Sequence, residues 1–179
     1  HKYYEPEATH LFVIGHENAH TLGPDSSYKT ALGIYQHIIE ENKADVTSLA
    51  MLPEYIKAGV IDEETLKKTY TSCILAMFLP AEPILQKPHR MADLMQFNCL
   101  IQEKAVSFDS GKMEIDFSKV PAAMYKLLSE SIRAQLSRDP DKAKELIEKY
   151  AIWGEISQKI ADFKKKLGIK NYRDIITYF

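Results

Sequence analysis

Val13-Ile14-Gly15-His16-Glu17-Asn18-Ala19-His20, taken with Glu40-Glu41-Asn42-Lys43-Ala44-Asp45, is the part of the chain from which fold and chemistry are both read. His16 and His20 stand four residues apart, so on a helix they project from one face, one turn from each other. That spacing lets two imidazoles grip a single zinc ion, with Glu17 beside the open coordination position as a potential general base. A catalytic zinc needs a third protein ligand and a place for water, and two histidines with one glutamate are an established set. Glu41 lies where that ligand would come from a second helix. Asp45, one turn further on, faces the same side and would accept the free N–H of a ligating histidine. The competing reading is an amphipathic helix with two polar surface histidines. Against it stand the apolar run Leu11-Phe12-Val13-Ile14, suited to a buried ligand helix, and the acidic cluster inside an otherwise apolar helix.

With 179 residues, a 45% hydrophobic share and a formal charge of -2, the chain can bury the core of one domain and gives no reason to invoke nucleic acid. No apolar stretch approaches the length of a membrane span, and no signal-peptide pattern opens the chain. Cys73 and Cys99 sit in separate, largely apolar helical segments. They read as reduced core thiols, which points to the cytoplasm. Lys164-Lys165-Lys166 reads as a solvated last turn suited to the helix dipole. Because the chain opens on His1 and not Met, it reads as a piece of something longer.

The pattern along the chain is that of a single, mostly helical zinc-binding domain over residues 1–179. After an extended lead-in, the motif helix is expected from about Leu11 to Leu22, stopped by Gly23-Pro24. A long helix from about Thr30 to Leu52 carries Glu40, Glu41 and Asp45 and is expected to end at Pro53. Asp62-Glu63-Glu64 starts a helix through about Phe78, and Pro80, Pro83 and Pro88 mark an irregular connection. Arg90 to Glu103 is helical again. Ala105–Phe108 and Met113–Phe117 then alternate with period two about the turn Asp109-Ser110-Gly111-Lys112, a small β-hairpin. Helices follow from Val120 to Ser137, from the cap Asp139-Pro140 to Tyr150, and from Gly154 to Leu167, with Gly168 as the stop.

Several stretches match a known family in the same order. They are His16-Glu17-Asn18-Ala19-His20-Thr21-Leu22-Gly23-Pro24, Glu40 to Asp45, Lys87-Pro88-His89-Arg90, Gln96-Phe97-Asn98 and Val106-Ser107-Phe108. Together they resemble the dipeptidyl peptidase III family of zinc peptidases. The similarity is greatest to its bacterial relatives and to the peptidase-like region fused behind Nudix domains in plants. It runs from about residue 10 to about residue 155. The resemblance implies a gluzincin, that is, a zincin-like helical catalytic lobe with one hairpin. It assigns zinc to His16, His20 and Glu41, the general base to Glu17, and transition-state stabilisation to His89. Glu40 and Asp45 would orient the histidines. The peptidase itself has an extra residue between its two histidine ligands, whereas this chain has the five-residue form of the relatives. The family's N-terminal lobe, which supplies much of the peptide-substrate binding, has no counterpart in this sequence. Thermolysin-type peptidases also carry a sheet ahead of the zinc helix, and too few residues precede His16 to form one. Half of the substrate cleft is therefore expected on other parts of a longer protein.

His10 and His37 compete as ligands and read better as surface or supporting residues. Trp153 and the tyrosines read mainly as core, and Arg90 and Arg133 as solvated. The function expected is zinc-dependent hydrolysis of short peptides. The alternative is a zinc-stabilised structural or regulatory module without turnover, although a structural site would normally fill its fourth position with a further protein ligand.

Overall fold

The computed structural model describes residues 2–168, which run through α1 (Thr9–Ala19), α2 (Ser26–Thr30), α3 (Gln36–Lys57), α4 (Glu63–Ala76), α5 (Pro88–Gln102), β1 (Val106–Asp109), β2 (Lys112–Ile115), α6 (Val120–Ser137), α7 (Pro140–Tyr150) and α8 (Glu155–Lys166). The fold is mainly α with one small hairpin. Capping chemistry starts several of the helices. Asp25 accepts from Ser27 N at 2.8 Å, Asp62 from Thr65 N at 2.7 Å and Asp139 from Asp141 N at 2.9 Å, each satisfying a donor that the helix leaves over. Prolines sit in the first turns of α5, α6 and α7, where a missing N–H costs no helical bond.

Helix α3 lies at the centre, against α1 on one side and α5 and α6 on the others. Two of its boundaries differ from the sequence expectation. It begins at Gln36, not Thr30, because Gly33 turns the chain at φ +59 and leaves α2 as a separate short helix. It also continues through Pro53 to Lys57. Pro53 cannot donate to the carbonyl of Leu49, four residues earlier. The Tyr70 hydroxyl from α4 donates to that carbonyl instead, at 3.0 Å, so no acceptor is orphaned and the helix survives its proline.

Leu49, Leu52, Tyr70, Phe97, Leu100 and Met124 form part of the buried core around α3. Phe97 joins Phe78 and Phe108 at centroid separations of 5.4 and 6.2 Å, which fastens the hairpin to α5. The hairpin pairs Val106 with Ile115 and Asp109 with Lys112, so its loop is only Ser110-Gly111, both at positive φ. Asp109 and Lys112, expected in the turn, are its last paired residues. Lys164 also departs from expectation. It is buried and donates to Phe78 O at 2.7 Å, holding α8 against the end of α4. Among the described residues no helix is long and apolar enough to cross a membrane.

Candidate metal centre

The centre begins with a close approach of two helices. A Cβ on Gly15 would sit 2.3 Å from Ser48 Oγ and 3.0 Å from Ser48 Cβ, so only glycine lets α1 lie this near α3. Ser48 Oγ then donates to Phe12 O at 2.8 Å across the seam. The buried residues of α1 are Gly15, His16 and Ala19, while Val13 and Ile14 of the apolar run are exposed. Helix α1 is thus seated by Gly15, His16 and Ala19, with Leu11 and Phe12 partly buried against the core; of the apolar run expected to be buried before the motif, Val13 and Ile14 are exposed instead.

This seating brings His16 Nε2 to 3.0 Å from His20 Nε2. Glu41 Oε2 lies 3.4 Å from the first and 3.6 Å from the second. One donor atom from each of the three residues falls within 4.8 Å of the other two, the compactness a metal ion requires. His89 Nδ1, from the first turn of α5, stands 3.2 Å from the same Glu41 oxygen. That oxygen is buried and takes no hydrogen bond although three ring nitrogens surround it. A buried carboxylate oxygen without a hydrogen bond, facing nitrogen donors, is the donor set expected of a zinc site, and the residues fit that ion.

Each histidine is held from behind by a carboxylate. His16 Nδ1 meets Asp45 Oδ1 at 2.7 Å, and Gln96 Nε2 donates to the other Asp45 oxygen at 2.8 Å. His20 Nδ1 meets Glu40 Oε1 at 3.1 Å. Lys29 and Lys43 each approach Glu40 Oε1 at 2.9 Å, and Gln135 donates to Glu40 Oε2 at 2.7 Å. A carboxylate only accepts, so the proton sits on Nδ1 of both rings and Nε2 is the atom free to bind a metal.

The Asp45 carboxylate bonded to Nδ1, and then the nearby Glu41 carboxylate, outweigh burial and raise the His16 imidazole to about 10, so its surroundings favour positive charge. Burial would raise the Glu41 carboxyl, but neighbouring His16, then His89 and His20, hold it low. Burial likewise opposes ionisation of Glu40, and Lys29, His20 and Lys43 together bring it down to about 2. Lys43, buried, has its ammonium lowered by desolvation in spite of Glu40. It also donates to Ala19 O at 2.7 Å and Leu22 O at 2.8 Å, satisfying one carbonyl at the end of α1 and one in the turn that follows.

The structure brings together six of the seven residues singled out from sequence through direct contacts: His16, His20, Glu40, Glu41, Asp45 and His89. Glu17 is exposed on α1 and lines a cavity with His16 and His89. His10 is exposed, and His37, also exposed, lies 3.3 Å from Gln36, so neither joins the group. Cys73 and Cys99 are free, buried thiols. Gln96, Lys29, Lys43, Gln135 and Gly15 were not identified as site residues by sequence reasoning. Gln96 carries two signals in the sequence, its place in the matching stretch Gln96-Phe97-Asn98 and the spacing of His89, Asp93 and Gln96 on one helical face.

No family model matches the chain. It is 27% identical over 148 residues to Nudix hydrolase 3 of Arabidopsis thaliana, an alignment spanning 77% of this chain and 19% of that protein. The structure superposes on dipeptidyl peptidase III from Caldithrix abyssi with a TM-score of 0.83, at 24% identity over 96% of this chain and 34% of the other. Against the dipeptidyl peptidase III of Corallococcus sp. strain EGB the TM-score is 0.79, at 23% identity over 92% of this chain and 32% of the other. The chain thus spans about a third of those two structures and about a fifth of the plant protein. Over that third, it carries the dipeptidyl peptidase III fold.

Proposed function

We propose that this chain is the metal-bearing part of a zinc-dependent hydrolase that cleaves short peptides. The observation that supports this best is the convergence of His16 Nε2, His20 Nε2 and Glu41 Oε2, with both histidines backed by carboxylates at Nδ1. Zinc held by these three would supply Lewis acidity and bring the ionisation of water from about 15.7 towards about 7. Asp45 and Glu40 keep a proton on each Nδ1 and so fix the tautomer and the ring orientation. Glu17, exposed beside the centre, takes the proton of the attacking water on its carboxylate and passes it to the leaving amine. His89, solvent-accessible and next to Glu41, donates to the carbonyl oxygen of the substrate as negative charge builds there. The rest of the cleft is assigned to an N-terminal lobe of the same protein, and the two buried thiols suit a reducing, cytoplasmic setting.

The test uses the full-length protein. His20→Ala is expected to lose the zinc that metal analysis finds in wild type. Glu17→Gln is expected to keep zinc and fold while peptide hydrolysis, followed by mass spectrometry, falls roughly 10²–10⁴-fold. Unchanged zinc in His20→Ala would remove the metal site. Equal turnover by Glu17→Gln would remove Glu17 from the mechanism, and a wild type that cleaves no peptide would favour a zinc-stabilised module without catalysis.

A further inference from the structure

The hairpin turns on Ser110-Gly111, so Asp109 and Lys112 form its last pair, and Ser107 pairs with Glu114. Its two faces separate by burial. Val106, Phe108, Met113 and Ile115 pack towards the core, while Ser107, Asp109, Lys112 and Glu114 meet solvent or its margin. Among the described residues the sheet holds these two strands alone, so β2 has a free edge.

The turn decides which backbone groups lie on that edge. A two-residue loop makes its flanking pair, Asp109 with Lys112, a hydrogen-bonded one, and bonded and non-bonded pairs alternate along an antiparallel ladder. Asp116 N donates to Ala105 O at 2.9 Å, which fits this phase. Met113, opposite Phe108, therefore falls in a non-bonded pair. It directs its N–H and C=O away from β1, to the free edge.

Lys112 and Glu114 flank Met113 on the outer face and make no ion pair among the described residues. Charges of one sign on an edge strand keep other strands away. The order Lys112-Met113-Glu114 instead changes sign about its midpoint. A second β2, laid antiparallel with Met113 opposite Met113, sets each Lys112 against the other copy's Glu114. The two Met113 residues then exchange both N–H···O=C bonds, and the charged pairs beside them are of the closer, non-bonded kind. In the same register Ile115 stands opposite Gly111 of the second copy. Ile115 lines a cavity of about 690 Å³ with Ile56, Leu66 and Phe117, so the second copy's turn ends beside an apolar hollow. One twofold axis through Met113 generates all of these contacts, as an isologous interface requires.

We infer that the free edge of β2 docks a second copy of this chain, strand to strand, with Lys112 and Glu114 as reciprocal ion pairs. Strands of 4 residues give a small interface, so the association is reversible and depends on concentration.

Sedimentation equilibrium of the full-length protein is expected to show a monomer–dimer equilibrium. Lys112→Glu puts like charges opposite each other in both pairs and should raise the dissociation constant about ten- to a hundredfold, as should Glu114→Lys. Mixing the two variants in equal amounts, or combining both changes in one chain, brings opposite charges together again and should restore the dimer. Hydrogen exchange at the Met113 amide should slow as protein concentration rises. A monomer at every concentration overturns the inference. So does a dimer that charge reversal leaves unchanged, or one lost in the single variants and not recovered on mixing. A Met113 amide protected equally at all concentrations would show the edge covered by another part of the same protein, which overturns it too.

Discussion

His16 and His20 present the same atom to the same point, yet what holds them differs. The His16 side chain is 11% exposed and rests on a single line, Asp45 and then Gln96 from α5. The His20 side chain is 30% exposed and rests on Glu40, which is itself fixed by Lys29, Lys43 and Gln135. One support is buried, serial and carries a single carboxylate. The other is part-exposed, branched and carries two cations. A serial support fails with its first link, whereas a branched one loses a member and keeps its geometry. Position on α1 is common to both histidines, and orientation is separate for each.

That contrast can be broken at its serial arm first. Asp45→Ala is expected to weaken zinc binding about 10–100-fold, as loss of a group that orients a ligand histidine typically does. Competition with a chelator measures it, and an unchanged zinc affinity would show that His16 does not depend on Asp45. Gly15→Ala tests what the two histidines share. The added methyl meets Ser48, so α1 must shift, and overpacking of this kind costs about 1–3 kcal/mol, offset in part by the better helix propensity of alanine. Thermal unfolding should show a lower Tm, recovered in part by adding Ser48→Ala. The smallest effect belongs to the branched arm. Lys29→Met leaves Lys43 and Gln135 on Glu40, and a part-exposed ion pair is worth about 0–1 kcal/mol. Zinc affinity should therefore fall by no more than about fivefold. A loss as large as that of Asp45→Ala would end the distinction between the two arms.

How legible this was in the sequence depended on whether a residue's task is local. The spacing of His16 and His20, and of Glu41 and Asp45, is a property of one helix each and could be read directly. So could the hairpin, since Ser110-Gly111 marks its loop. The continuation of α3 through Pro53 could not, because what rescues it is a hydroxyl on Tyr70 from another helix. The same holds for Gln96 and Gln135, which reach Asp45 and Glu40 across 51 and 95 residues of sequence. Lys43 stood in plain view between Glu41 and Asp45, and nothing in its neighbours tells that it is buried. Exposed Val13 and Ile14 show the limit from the other side. Their composition suggests core, but the inward face of α1 runs through Phe12, Gly15, His16 and Ala19, and Val13 and Ile14 lie off it.

The burial of Lys43 has a practical consequence. Its side chain is 2% exposed and its amine is bonded to Ala19 O at the end of α1, to Leu22 O in the turn that follows and to Glu40, so an acylating reagent in solution cannot reach it while α1 lies on α3. The amine becomes reactive only when that seam parts, and the exposed lysines of the same chain serve as an internal reference for the reagent. The rate at which Lys43 is labelled is thus a built-in clock for the opening of the seam under the candidate metal centre, readable by mass spectrometry without knowledge of any substrate.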